Sequence, residues 1–220
     1  MKNKIRNNYI SAIIFLVLFV LFTVLVKTVD VKPAGPQGSL IGLSAVNTFV
    51  FDSLGQNGVR YAVSEGIGYL ALLVAFSFAV LGVLQMFRRK SVLKIDADIL
   101  ALGALYLVTA IAYVLFETVI INYRPVLVGG LLEASYPSSH MMLVVTILGS
   151  AIIQSDKRIK SECLKKIVNA VLFIGIFATA VGRVASGMHW ITDVAGALLL
   201  SLFLVLTYYS VVKHIEHIKK

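Results

Sequence analysis

The residues best suited to chemistry in this sequence are His189 and Asp193, four positions apart near the end of the chain. On a helix this spacing puts both side chains on one face. A carboxylate that accepts the proton of one imidazole nitrogen fixes the tautomer and leaves the other nitrogen free to attack an electrophile or to take a proton. The alternative is an ordinary helix pair near a membrane surface.

A second histidine, His140, follows Pro137, Ser138 and Ser139. Proline before two serines predicts the start of a helix, with a serine as N-cap and Pro137 fixing the direction of entry. The free N–H groups at a helix start bind phosphate oxygens. Taken alone, the segment is better explained as a well-capped helix that begins near a histidine.

Two arginines, Arg124 and Arg183, accompany the histidines. Their planar guanidinium groups suit phosphate oxygens, although each arginine taken singly is explained as well by contact with lipid head groups. The joint order is more informative: Arg-Pro, then Pro-Ser-Ser-His, then an arginine followed by the histidine and the aspartate of the first pair. This order favours a phosphate site.

The elements that position these side chains are apolar, because the whole chain of 220 residues is 59% hydrophobic and only 14% charged. A soluble domain has about 25% charged residues, so the composition predicts a membrane protein. Six apolar segments approach the roughly 20 residues that a spanning helix needs. The fourth and fifth are short and rich in small residues, which favours positions inside the bundle. The predicted spans are Tyr9–Val26, Gly66–Phe87, Ala97–Ile120, Ser139–Gln154, Ile167–Val181 and His189–Val212.

The net charge of +9 comes from short basic runs between these spans. With six spans, four basic regions fall on one side, which the positive-inside rule makes cytoplasmic, and nucleic-acid binding is excluded because no basic face remains. The sequence thus predicts a multi-pass membrane protein with both termini and the lone Cys163 in the cytoplasm. The basic residues are Lys2, Lys4, Arg6; Arg88, Arg89, Lys90, Lys94; Lys157, Arg158, Lys160, Lys165, Lys166; and Lys213, Lys219, Lys220.

By this topology the chemistry-bearing residues meet at the outer, extracytoplasmic interface. We expect a single domain over residues 1–220, an all-α bundle of six transmembrane helices. The long outer loop, residues 27–65, is predicted to cap the bundle, and the alternative is a helix lying on the outer leaflet.

The motifs between residues 117 and 193 resemble those of the type 2 phosphatidic acid phosphatase superfamily, which includes bacterial undecaprenyl-diphosphate phosphatases and vanadium haloperoxidases. The family pattern is Lys-x6-Arg-Pro, then Pro-Ser-Gly-His, then Ser-Arg-x5-His-x3-Asp. The resemblance implies that His189 is a nucleophile forming a phosphohistidine, with Asp193 orienting it and His140 as general acid. It also implies phosphate binding by Arg124, Arg183, Ser138 and Ser139, with no metal and no cofactor.

Three positions depart from the family pattern. Glu117 stands at the family lysine, Ser139 at the glycine of the second motif, and Gly182 at the serine before the third-motif arginine. Loss of a cationic ligand is expected to cost a few kcal/mol of transition-state stabilisation. Alternatively, Glu117 pairs with Arg124 or binds a cationic part of the substrate.

The resemblance implies a lipid phosphatase of the bacterial plasma membrane, with undecaprenyl diphosphate the favoured substrate and phosphatidic acid or phosphatidylglycerol phosphate next. Two alternatives stay open: a lipid phosphotransferase, and a non-catalytic lipid-phosphate binder or transporter. The expected partners are the lipid phosphate substrate and membrane lipids.

Overall fold

A computed structural model describes residues 2–218, which form seven α-helices and no β-strand. Lys219, Lys220 and the side chain of Lys2, which belong to the predicted basic ends, lie outside this description. The all-α prediction is confirmed. The helices are α1 (Lys2–Thr28), α2 (Ser44–Leu54), α3 (Gly58–Arg89), α4 (Ala97–Thr118), α5 (Ser139–Arg158), α6 (Glu162–Ala185) and α7 (Ile191–Ile218).

Six of these helices coincide with the six predicted spans. Five of them, α1, α3, α4, α6 and α7, are long and apolar enough to cross a bilayer. The remaining helix, α5, has 20 residues but carries more polar side chains, including Ser150 and Gln154, and both are buried. It packs against α3, α4, α6 and α7, so its polar groups meet protein rather than lipid.

The expected interior position of the fifth span is wrong. Helix α6 exposes Phe173 and Phe177, each 65% accessible, on its outer face. Its two glycines that contact other helices lie on the opposite side, where Gly175 meets Leu148 and Gly182 meets Ser64. Small residues therefore mark one contact face of α6, and the rest of the helix is available to lipid.

The basic ends of the helices meet at one end of the bundle. Lys4 at the start of α1 lines a pocket with Lys213 near the end of α7. Arg158 at the end of α5 binds Asp98 at the start of α4, with Nη2 and Oδ2 3.1 Å apart. The motif residues lie at the opposite end.

At that opposite end, α2 packs over the start of α7. The buried Asn47 accepts a hydrogen bond from the Thr192 backbone N–H at 3.3 Å, and the rings of Phe51 and Trp190 are 5.6 Å apart. The segment between α4 and α5 is held against α1, because the Tyr136 ring stacks on Phe19.

Candidate active site

His189 lies in a tight turn before α7 rather than on the helix. The last predicted span began at His189, but α7 begins at Ile191, so the expected shared helix face is wrong. Two features stop the helix. Gly187 has φ of +72°, which favours glycine, and the Asp193 carboxylate accepts the Trp190 backbone N–H at 2.9 Å, as in a capping box. The pair still meets, with His189 Nδ1 3.4 Å from Asp193 Oδ2.

The surroundings of His189 define its tautomer. Its Nε2 lies 3.4 Å from Arg183 Nη2, and a guanidinium group can only donate. Nε2 is therefore the acceptor, and the ring proton sits on Nδ1, facing Asp193. Burial, followed by the charges of Arg124 and Arg183, lowers the pKa of His189 well below its usual value. The imidazole is thus neutral, with a lone pair on Nε2.

His140 is held by two neighbouring residues of α3. Its Nε2 lies 2.9 Å from the Ser64 carbonyl, which can only accept, so Nε2 carries a proton. Its Nδ1 lies 3.5 Å from Glu65 Oε1. The ring fits only because Gly68 has no side chain, since a Cβ there would lie 2.2 Å from His140 Cε1.

Sequence reasoning missed Glu65, whose carboxylate contacts two predicted site residues. In addition to His140, Glu65 Oε1 accepts a hydrogen bond from Arg183 Nη1. The Arg183 guanidinium also lies over the Tyr61 ring, 5.4 Å from its centre. The start of α3 therefore forms a wall of the site. The one signal for it in the sequence is a carboxylate beside the start of the second predicted span, on the same side as the motifs.

Arg124 is paired with a second carboxylate that sequence reasoning missed. Its Nε lies 3.2 Å from Glu133 Oε2, and its backbone N–H donates to the Glu133 carbonyl at 3.0 Å. The expected alternative of a Glu117–Arg124 pair is wrong, because Glu117 Oε1 instead accepts from the Ser139 hydroxyl at 3.2 Å. The Trp190 indole N–H, in the turn before α7, donates to the Tyr123 carbonyl and so ties this loop to the turn.

Ser138 acts as the predicted N-cap of α5. Its hydroxyl accepts from the Met141 N–H at 3.4 Å, and its own N–H donates to the Asp193 carbonyl at 3.0 Å. This bond joins the starts of α5 and α7. Ser138 is fully buried, so its hydroxyl serves the helix rather than the open cavity.

A polar cavity of about 600 Å³ opens beside these residues. Five predicted site residues line it, whereas Ser138, His189 and Asp193 lie behind its wall. Within residues 2–218, no group of three His, Cys, Asp or Glu side chains is arranged to hold a metal ion. The lining residues are Tyr61, Glu65, Tyr113, Glu117, Ile120, Arg124, Leu132, Glu133, Ala134, Ser139, His140, Leu143 and Arg183.

Several buried polar atoms at the site have no hydrogen-bond partner within residues 2–218. They include Arg183 Nε, Asp193 Oδ1, Asn122 Nδ2 and Ser135 Oγ. Unsatisfied buried groups are costly and are retained mainly where function needs them. Two of the four atoms, Arg183 Nε and Asn122 Nδ2, are donors that suit an anion, whereas Asp193 Oδ1 is an acceptor.

Comparison with known proteins agrees with this geometry. The family model of the PAP2 superfamily matches residues 116–216, the segment that holds every predicted site residue. No curated protein matches the chain. One similar solved structure is described as the first transmembrane PAP2 type phosphatidylglycerolphosphate phosphatase from Bacillus subtilis. It shares the fold, with a TM-score of 0.63 and 18% identity, over 93% of this chain and 97% of that one. Residues 116–216 therefore match the PAP2 superfamily, and the fold of the chain is that of the solved transmembrane PAP2 structure.

Proposed function

We propose that this membrane protein is a lipid phosphatase that works through a phosphohistidine on His189. The observation that carries the proposal is the arrangement around that ring: a lone pair on Nε2 beside Arg183, with the Nδ1 proton turned toward Asp193. A neutral, oriented imidazole of this kind is an activated nucleophile.

In the first step, Nε2 of His189 attacks the phosphorus, a P–N bond forms and the P–O bond to the lipid or to its remaining phosphate breaks. His140 gives a proton to the leaving oxygen. Asp193 stabilises the positive charge that develops on the His189 ring. Arg124, Arg183 and Ser139 donate to the phosphoryl oxygens, where negative charge is concentrated in the transition state.

In the second step, water attacks the phosphorus and the P–N bond breaks. His140, now neutral, takes a proton from the attacking water. Inorganic phosphate leaves, and His189 returns to its starting tautomer. The two histidines thus keep separate roles, nucleophile and acid–base catalyst, through both steps.

The walls of the cavity suggest how a lipid reaches it. Tyr113 and Glu117 come from α4, and Tyr61 and Glu65 come from α3. Toward the opposite end of the bundle, the same two helices enclose an apolar groove of about 270 Å³ that includes Phe78 and Tyr106. An acyl or prenyl chain lying between α3 and α4 would bring its phosphate to the polar cavity.

Undecaprenyl diphosphate remains the favoured substrate of this proposal, and phosphatidic acid and phosphatidylglycerol phosphate are the other candidates. The Bacillus subtilis structure supports including the last, because its description names a phosphatidylglycerolphosphate phosphatase. The test is release of inorganic phosphate by the purified full-length protein in detergent, from each of the three lipids. One lipid should release phosphate, and His189→Ala should not.

A non-catalytic lipid-phosphate binder is the second candidate, favoured by the carboxylates of Glu65, Glu117 and Glu133 in the cavity. It predicts binding of the lipid without release of phosphate by the folded protein. A phosphotransferase would instead move phosphate to another lipid or glycan, and product analysis detects that directly.

The same proposal puts the cavity on the extracytoplasmic side and both termini in the cytoplasm. Cys163 is the single cysteine of the chain and is exposed near the start of α6, at the basic end of the bundle. A membrane-impermeant maleimide should therefore label it only after cells are permeabilised. Labelling in intact cells would reverse the orientation.

A further inference from the structure

One oxygen of Glu65 contacts two side chains that belong to the proposed phosphate site. Glu65 Oε1 accepts from Arg183 Nη1 and lies 3.5 Å from His140 Nδ1. In the proposed function these two side chains serve the phosphate, one as a ligand of its oxygens and one as the acid. A carboxylate oxygen and a phosphate oxygen accept the same hydrogen bonds from such donors.

Arg183 needs a negative partner because it is buried, with only 3% of the residue exposed. A buried guanidinium group without a counter-charge is strongly destabilising. Within residues 2–218, Glu65 is the one carboxylate in ion-pair distance of Arg183. The other arginine of the site, Arg124, has Glu133 as its own partner.

Glu65 itself is reachable. Its side chain is 26% exposed and lines the polar cavity, whereas Arg183 and His140 lie deeper, with side chains 3% and 17% exposed. An anion that enters the cavity thus meets Glu65 before it reaches the hydrogen-bond donors of Arg183 and His140.

We propose that Glu65 is a positioning residue that acts as an internal anion of the phosphate site. Its carboxylate holds Arg183 and His140 in place, and the incoming phosphate takes over these contacts. While bound to Glu65, Arg183 also lies against Nε2 of His189, 3.4 Å away. When the phosphate replaces Glu65 as the partner of Arg183, Nε2 of His189 would become accessible to the phosphorus. The inference rests on the proposed function to the extent that the cavity receives phosphate.

The test measures binding of inorganic phosphate, which needs no turnover. Purified full-length protein in detergent is titrated with phosphate, and the affinity is obtained from the rise in unfolding temperature. Glu65→Gln keeps the shape of the side chain and removes the competing charge, so phosphate should bind roughly tenfold more tightly than in the unaltered protein.

Glu117→Gln is the matched control. It removes the same charge from the same cavity, but Glu117 contacts the Ser139 hydroxyl rather than Arg183 or His140. Ser139 is itself a proposed phosphate ligand, but its hydroxyl is neutral, so phosphate binding should tighten by no more than about twofold, as expected for a solvent-screened charge. Equal tightening in both variants would attribute the effect to general charge and overturn the inference.

Glu65→Asp covers the case in which Glu65→Gln does not fold. The shorter acid keeps the charge but reaches Arg183 less well, so phosphate affinity should rise by a smaller factor. Unchanged or weaker binding in the folded variants, or no phosphate binding in any of them, would overturn the role of Glu65. Tighter binding without lipid hydrolysis would instead retain this role and reject the proposed phosphatase.

Discussion

His140 and His189 present the same ring nitrogen in opposite states: Nε2 of His140 donates to the Ser64 carbonyl, whereas Nε2 of His189 accepts from Arg183. The difference arises from the partners, since a carbonyl only accepts and a guanidinium group only donates. Ser64 thereby holds the Nε2 proton of His140, which leaves Nδ1, the nitrogen that faces Glu65, to exchange a proton with the substrate. His189 instead presents a lone pair on Nε2. This assignment underlies the predictions that follow.

Asp193→Asn should lower kcat on the order of 10³-fold or more, with a small change in KM, because an amide no longer fixes the Nδ1 proton of His189. Phosphate release under saturating and limiting lipid concentrations separates the two constants. The unfolding temperature serves as the check on folding. A loss of less than tenfold in a folded variant would remove Asp193 from the proposed mechanism.

The acid side of the pH profile should report the low pKa of His189. Because that pKa lies well below its usual value of 6.5, the ring stays neutral as the pH falls through 6.5, and kcat/KM should be retained there. Arg124→Gln removes a positive charge that lowers the pKa, so the acid limb should move to higher pH.

Arg124→Lys is the control for this shift, because it retains the positive charge while losing the planar fork. Its acid limb should stay near that of the unaltered protein even where activity falls. Both variants use the same lipid, so ionisation of the substrate contributes equally. Coincident acid limbs in the two variants would show that Arg124 does not set the pKa of His189.

Gly68→Ala should damage the site through the position of His140. The added Cβ would lie 2.2 Å from His140 Cε1, so the ring must move away from Ser64 and Glu65. We expect a decrease in kcat of roughly 10²-fold, the scale associated with a misplaced catalytic group. Gly66→Ala lies on the same helix with nothing within 4 Å of the new Cβ and should leave kcat unchanged. Equal kcat in both variants would contradict the proposed role of His140.

Glu117→Lys restores the residue type of the family pattern at a position that lines the cavity. The new ammonium group should retain or increase turnover and lower KM for the lipid phosphate, because it adds a cationic ligand. Glu117→Gln separates loss of the carboxylate from gain of the cation. A strong loss of activity in both variants would indicate that the substrate requires a carboxylate at this position.

The order of spans, the N-cap at Ser138 and the segment that carries the motifs could be predicted from the sequence, because apolar length, capping residues and short motifs are local signals. Glu65 could not, because it joins Arg183 through a contact between α3 and α6 that no local pattern encodes. The start of α7 was misplaced for a local reason. Gly187 and the Asp193 carboxylate together place His189 in a turn and start the helix after it. The i,i+4 spacing of His189 and Asp193 instead predicts that both lie on the helix.

The wall contributed by α3 has a consequence for how this chain can be divided. Residues 116–216 contain every recognised motif, yet Glu65, Ser64 and Gly68 all precede them. A fragment cut at the boundary of the motif segment would keep Arg183 and lose its carboxylate, and would keep His140 and lose its acceptor. The segment that carries the motifs therefore does not contain the complete site. The first half of the chain contributes directly to the site through α3.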